Sequence, residues 1–186
     1  DLSGNGNDLE NRNFAYTPES GYGDGYIQYD GIDDFSMLPT DKNFKSGVKT
    51  QMFVFSDNSM NPETANIYNG GIVVEKYFVI LNNQINANAD YEQVYLNGTD
   101  VKTTGFNING STEINTIVIS KIKYTEEFNK NFNISTILNA PLYCLKQRFH
   151  DALLYDRILT EEEIQHNYKV SCQYNGEDIN GKAEET

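Results

Sequence analysis

Tryptophan is absent from the 186 residues, cysteine and histidine occur twice each, and proline four times. Each shortage excludes something. Two cysteines, Cys144 and Cys172, permit one disulfide at most and cannot build a zinc site by themselves. An oxidised secreted domain of this size would carry further pairs. Cys144, inside the apolar run Pro141-Leu142-Tyr143-Cys144-Leu145, is therefore expected to be a free thiol buried as a small hydrophobe. The histidines, His150 and His166, are separated by a strand and a helix turn, with no serine in a nucleophile-elbow context near either. His150, beside Asp151, reads as a strand-edge residue, and His166, between Gln165 and Asn167, as a surface one.

Positive charge is scarce as well. Fourteen Lys and Arg stand against 27 Asp and Glu, a net charge of −13, which repels phosphate backbones and anionic lipid surfaces. Nucleic acid is not expected as a partner. No apolar run approaches the roughly 20 residues of a spanning helix. The longest strongly apolar stretch, Tyr77 to Leu81, has strand length, so no membrane insertion is expected. The chain starts at Asp1 without an initiator Met or a basic, apolar signal region, and is expected to be a domain or processed fragment of something longer.

Alternating acids are missing too. A strand would present the two carboxylates of a glycan-cleaving enzyme, about 5 Å apart, at alternate positions. Here Asp33-Asp34, Glu126-Glu127 and Glu161-Glu162-Glu163 are adjacent instead and read as structural. No catalytic residue is assigned, and the chain is expected not to be an enzyme. Nor is there a phosphate-cradling loop, because Gly21-Tyr22-Gly23-Asp24-Gly25 precedes a strand rather than a helix.

What is abundant is period-two alternation of aromatic and β-branched residues, with Asn, Gly and Asp between the runs. It predicts strands over Gly25 to Asp30, Asp34 to Leu38, Val48 to Phe55, Ile72 to Leu81, Glu92 to Leu96, Asn115 to Ile122 and Phe149 to Tyr155. Asn97-Gly98 between Val94-Tyr95-Leu96 and Asp100-Val101-Lys102 predicts a two-residue hairpin turn at positive φ, with Val94 and Leu96 on one face and Tyr95 on the other. Glu75-Lys76 is either a second tight turn or part of one long strand. Residues 124 to 140 are irregular in pattern and read as either a short helix or an ordered loop.

One helix is predicted, from Glu161 to about Lys169. Thr160 caps it, Glu163 reaches back to the cap, and Leu159 staples onto Ile164. Residues 1–170 form one domain in this reading and 171–186 a polar C-terminal tail.

Thirteen tyrosines and ten phenylalanines serve mostly the core. Those in Asn- and Gly-rich loops are candidates for stacking on a sugar ring: Tyr68 with Asn69, and Tyr91 with Asp90, form the candidate carbohydrate site, with Tyr22 and Tyr26 as weaker members. The segment Asp1-Leu2-Ser3-Gly4-Asn5-Gly6-Asn7 crowds oxygen donors onto a glycine-kinked loop. It reads either as an Asx-rich turn or as a calcium site near Asp1, Asn5 and Asn7, and no cofactor is otherwise expected.

Four segments in order, Asp1 to Asn7, Tyr29-Asp30-Gly31-Ile32-Asp33-Asp34-Phe35, Tyr95-Leu96-Asn97-Gly98 and Leu154 to Ile164, resemble the motifs of laminin-G-like, concanavalin A-like domains. The resemblance implies an all-β fold, a two-sheet antiparallel jelly-roll sandwich with one short C-terminal helix. Such domains commonly bind carbohydrate, and the ending Ile164-Gln165-His166-Asn167-Tyr168 is most similar to versions from phage tails and bacterial surfaces. His150-Asp151 stands where many members have a pair of acids, so no shared metal site is expected there.

Taken together these features give an expected function: a non-catalytic carbohydrate-binding or adhesive module of a phage tail or bacterial surface protein, extracellular, with a glycan or host cell surface as partner. A structural or assembly domain of a virion, with protein partners in a larger assembly, is the alternative. A glycan hydrolase or lyase is the third.

Overall fold

Alternation forms strands here because every second side chain finds a core on one side of a sheet. The computed structural model describes residues 2, 4–39, 47–59, 68–70, 77–81, 84–86, 92–102, 113–121, 132–134 and 146–176. Along the chain run β1 (Glu10–Arg12), β2 (Gly21–Tyr22), β3 (Ile27–Asp30), β4 (Phe35–Met37), β5 (Thr50–Ser59), β6 (Tyr68–Gly70) and β7 (Tyr77–Leu81). They are followed by β8 (Gln84–Asn86), β9 (Gln93–Leu96), β10 (Thr99–Asp100), β11 (Asn115–Ser120), β12 (Phe132–Ile134), β13 (Lys146–Tyr155) and the helix α1 (Glu161–Tyr174). Two antiparallel sheets result. One has the order β1-β4-β12-β6-β7-β8, the other β10-β9-β11-β5-β13-β3-β2.

The two longest strands, β5 and β13, lie side by side near the middle of the seven-stranded sheet. On its inner face Phe53 and Phe55 of β5, Ile117 and Ile119 of β11, Tyr29 of β3 and Phe149 of β13 form one core. Leu38 and Ile134, next to or within strands of the six-stranded sheet, join it. The alternate residues Met52, Val54, Tyr95 and Val118 point the other way and pack with Leu159, Ile164 and Cys172. Both faces of this sheet are thus covered, which explains why β11 is buried at every position. The hairpin is as the sequence predicts: Asn97 and Gly98 take φ of 51° and 80°, Thr99 pairs with Leu96, and Val94 and Tyr95 enter opposite cores.

The helix start has the predicted geometry. Thr160 Oγ1 accepts from the Glu163 N–H at 3.3 Å, and Glu163 Oε2 accepts from the Thr160 N–H at 2.9 Å. The Arg157 guanidinium donates to the same Oε2 at 2.8 Å, and with the Thr160 amide it holds the Glu163 carboxyl down to about 2. Leu159 and Ile164 are both buried in the outer core. Thr160→Ala is expected to lower the unfolding free energy by about 1 kcal/mol, read as a shift in urea midpoint at unchanged slope.

Spacing alone predicts a helix ending near Lys169. The structure carries it to Tyr174, because Cys172 continues the buried stripe of Ile164 and Tyr168 at intervals of four. It stops at Asn175 before Gly176, whose φ of 82° suits a helix terminus. Residues 171–174 are therefore helix, not tail, and Cys172 is buried. Cys144 and Glu75-Lys76 lie outside the described residues. Of residues 124 to 140, the described ones are 132–134, and these are strand.

The Gln147 side chain is fully buried on β13, with both its Oε1 and its Nε2 unpartnered. A buried amide without partners keeps its whole desolvation cost. Gln147→Leu is expected to raise stability by about 1 kcal/mol, checked by the same denaturation experiment.

Candidate functional site

Strand β13 pairs with β5 along its length but with β3 only from Lys146 to Phe149. Phe149 stands opposite Phe55 and Asp151 opposite Val54, so His150 is the extra residue of a β-bulge. Bulges re-aim side chains, and this one does so where β3 leaves the strand. Phe149 stays in the inner core while the His150 ring turns to Ser56 on β5, its Nε2 2.9 Å from Ser56 Oγ.

His150 Nδ1 lies 3.2 Å from the Gly25 carbonyl oxygen. That oxygen can only accept, so Nδ1 carries the proton and Nε2 is left to accept from the Ser56 hydroxyl. Burial pushes the ring below its ordinary value of 6.5, against the Gly25 carbonyl, Asp151 and a hydrogen bond with the Asn175 side chain, which pull it up. The ring is thus neutral at neutral pH, with a fixed tautomer. Tyr26 meets it edge-on with centroids 5.9 Å apart, and the Arg148 guanidinium sits 4.9 Å from the centroid of that same tyrosine.

Beyond Phe149 the side of β13 that no described strand pairs with borders a cavity of about 720 Å³. Leu9, Ile27, Val48 and Leu154 supply apolar lining, and Asn5, Asn7, Asn11, Tyr22, Asp151 and Asp156 supply polar groups, with His150 beside them. The Tyr29 hydroxyl donates to Ser36 Oγ at 2.6 Å, Ser36 Oγ donates to Asn11 Oδ1 at 2.6 Å, and Asn11 Nδ2 donates to the Tyr22 hydroxyl at 2.7 Å. Every proton in this chain is directed outward, which fixes the Asn11 amide and holds Tyr22 from the core. Burial keeps the Tyr29 hydroxyl protonated, pushing its pKa well above the ordinary 10. Tyr22 is 68% exposed and Tyr16 67%, and their rings stack with centroids 6.3 Å apart. A flat aromatic surface therefore stands at the cavity rim.

Acidic groups arrange differently. Asp151 and Asp156 are five residues apart along an extended segment, about 16 Å, too far for the roughly 5 to 9.5 Å of a glycosidase acid pair. The carboxylates of Asp30, Asp33 and Asp34 come within 4.8 Å of one another. Two of the three hold the loop: Asp30 Oδ1 accepts from the Ile32 N–H at 2.7 Å, and buried Asp34 accepts from Ser20 Oγ and the Asp30 N–H. Burial raises the Asp34 carboxyl above its ordinary value. Asp34 is structural, as its adjacency to Asp33 suggests.

The other sequence candidates fall elsewhere. Tyr68 and Asn69 are not in a loop; they form β6, between β12 and β7 inside the six-stranded sheet. Asp90, Tyr91 and Asp1 lie outside the described residues. Asn5 and Asn7 line the cavity, as does Tyr22, while Tyr26 belongs with His150. Asn11, Ser36 and the bulged position of His150 escape sequence reasoning. Ser56 and Gly25 are 94 and 125 residues from His150, and no local pattern signals either partner.

No family model matches the sequence, and no curated protein does. Among solved structures, a Trypanosoma rangeli sialidase in complex with the inhibitor DANA aligns at a TM-score of 0.49 and 14% identity. The alignment covers 77% of this chain and 27% of the sialidase chain, about a quarter of its length. A similarity this distant transfers neither residue nor substrate. The expected function, a non-catalytic binding or adhesive module of a phage tail or bacterial surface, is not what the comparison returned: the protein that aligns is a sialidase, and at this TM-score it assigns no activity to this chain. What stands, among the described residues, is a mainly β structure of two antiparallel sheets with one C-terminal helix, and no helix there is long and apolar enough to cross a membrane.

Proposed function

We propose that the chain acts on carbohydrate, a saccharide lying in the cavity beside β13 with His150 as the group that moves a proton there. The laminin-G-like, concanavalin A-like jelly-roll connectivity belongs to the same proposal. The observation that carries it is the bulged, neutral, tautomer-fixed His150 on a cavity whose rim also holds the exposed Tyr22 ring. Tyr22 offers a flat face to the C–H groups of a sugar ring. Asn5, Asn7 and Asn11 offer amide donors and acceptors for hydroxyls. Histidine is the side chain that exchanges a proton near neutral pH, and a neutral ring can take one up at the start of a hydrolytic step.

Binding and turnover test the two halves separately. With a panel of oligosaccharides, the protein is expected to give saturable shifts in its Tyr22 resonances and to release new reducing ends. Tyr22→Ala should weaken binding about tenfold, near 1.4 kcal/mol. A panel that neither binds nor is cleaved overturns the proposal. Binding without any cleavage removes His150 from its assigned role.

A further inference from the structure

We infer that the cavity selects its saccharide by charge, taking sugars that carry an amino group ahead of neutral ones and turning away those that carry a carboxylate. This rests on the carbohydrate reading above and adds to it the class of sugar. Two formal charges stand among the described lining residues, Asp151 and Asp156, both exposed carboxylates, and no Lys or Arg is among them. His150 adds no positive charge at neutral pH, because burial holds it below 6.5. The guanidinium groups nearest along the chain are engaged elsewhere: that of Arg157, next to Asp156, donates to Glu163 Oε2 at 2.8 Å, and that of Arg148 is stacked on Tyr26 and donates from Nε to Gln28 Oε1 at 3.4 Å.

A sialic acid or uronic acid brings a carboxylate that wants a cation, best a forked guanidinium. In this cavity it would meet two like charges on a chain of net charge −13. A protonated amino sugar meets the opposite situation, with an exposed carboxylate at each end of the cavity-lining stretch from 151 to 156. The amides of Asn5, Asn7 and Asn11 serve the hydroxyls of any of these sugars, so charge is what separates them.

The full chain is titrated calorimetrically at about 0.01 M ionic strength, where the Debye length is about 30 Å. The probes are a glucosamine tetramer, its N-acetylated counterpart and sialyllactose. The expected order is the glucosamine tetramer about tenfold tighter than the acetylated one, with sialyllactose weakest. The spread should narrow at about 0.15 M, where the Debye length falls to about 8 Å. The double variant Asp151→Asn, Asp156→Asn should lose the preference, the glucosamine tetramer then binding no more tightly than the acetylated one. Sialyllactose binding as tightly as the others overturns the inference and leaves the carbohydrate reading standing. So does a preference that survives in the double variant, which would trace it to net charge rather than to this cavity. If none of the three probes binds, the carbohydrate reading itself falls and this inference with it.

Discussion

Phe53→Ala is expected to lower the unfolding free energy by about 3–5 kcal/mol. Phe53 lies on β5 between Ile117 of β11 and Ala152 of β13, is fully buried, and belongs to the core between the two sheets. Removing the ring forfeits its transfer free energy and leaves a cavity that flanking strands, hydrogen-bonded on both sides, cannot close. Since domains are stable by about 5–15 kcal/mol, the loss is a large share of the total, and Tm should fall by roughly 10 °C. Leu153→Ala on the next strand is the contrast. Leu153 is 36% exposed and has far less to lose, so about 0.5–1 kcal/mol is expected. Urea denaturation of both variants checks the pair. A Phe53→Ala loss no larger than that of Leu153→Ala would mean that the inner face of β5 does not carry the core.

The features legible in the sequence were those whose physics is local. Thr160 and Glu163 are three residues apart and satisfy each other's amides, so the helix start could be read from a short string. Asn97-Gly98 declared its turn because few residue pairs accept two positive φ angles in succession. Strand positions followed from alternation, yet alternation fades in β11, where α1 covers the outer face and every residue is buried. The helix end was misjudged because Cys172, the last member of its buried stripe, sits beyond a polar interval.

The site was legible only in part. Asn5, Asn7 and Tyr22 stood out by composition, whereas Tyr68 and Asn69 looked like loop residues because Asn and Gly surround them, and they proved to be strand. The bulge at His150 depends on a one-residue mismatch between β13 and β5, strands nearly a hundred residues apart. Nothing within either strand records that mismatch. The same holds for the hydrogen-bonded chain from Tyr29 to Tyr22, whose links come from β3, β4, β1 and β2.

His150→Gln is expected to abolish turnover while leaving the fold intact, lowering kcat by about 10²- to 10⁴-fold. A glutamine amide can donate to the Gly25 carbonyl and accept from the Ser56 hydroxyl, so it replaces the ring's bonds to these two groups but cannot take up a proton. His150→Ala removes the bonds as well, leaves the Ser56 hydroxyl and the Gly25 carbonyl without this partner, and should lose stability along with activity. In the wild type the neutral ring is the active form, so kcat should rise with pH through the ring's folded pKa, placing the acid limb below 6.5. Stability has its own signature. As pH falls below 6.5 the unfolded chain protonates this histidine while the folded one resists, so the unfolded state binds more protons and stability drops as pH falls toward the lower folded value. His150→Gln should flatten that slope. An acid limb above 6.5, or a slope unchanged by the substitution, would show that the ring is not held neutral by its burial, and the proton-transfer role would fall with that premise.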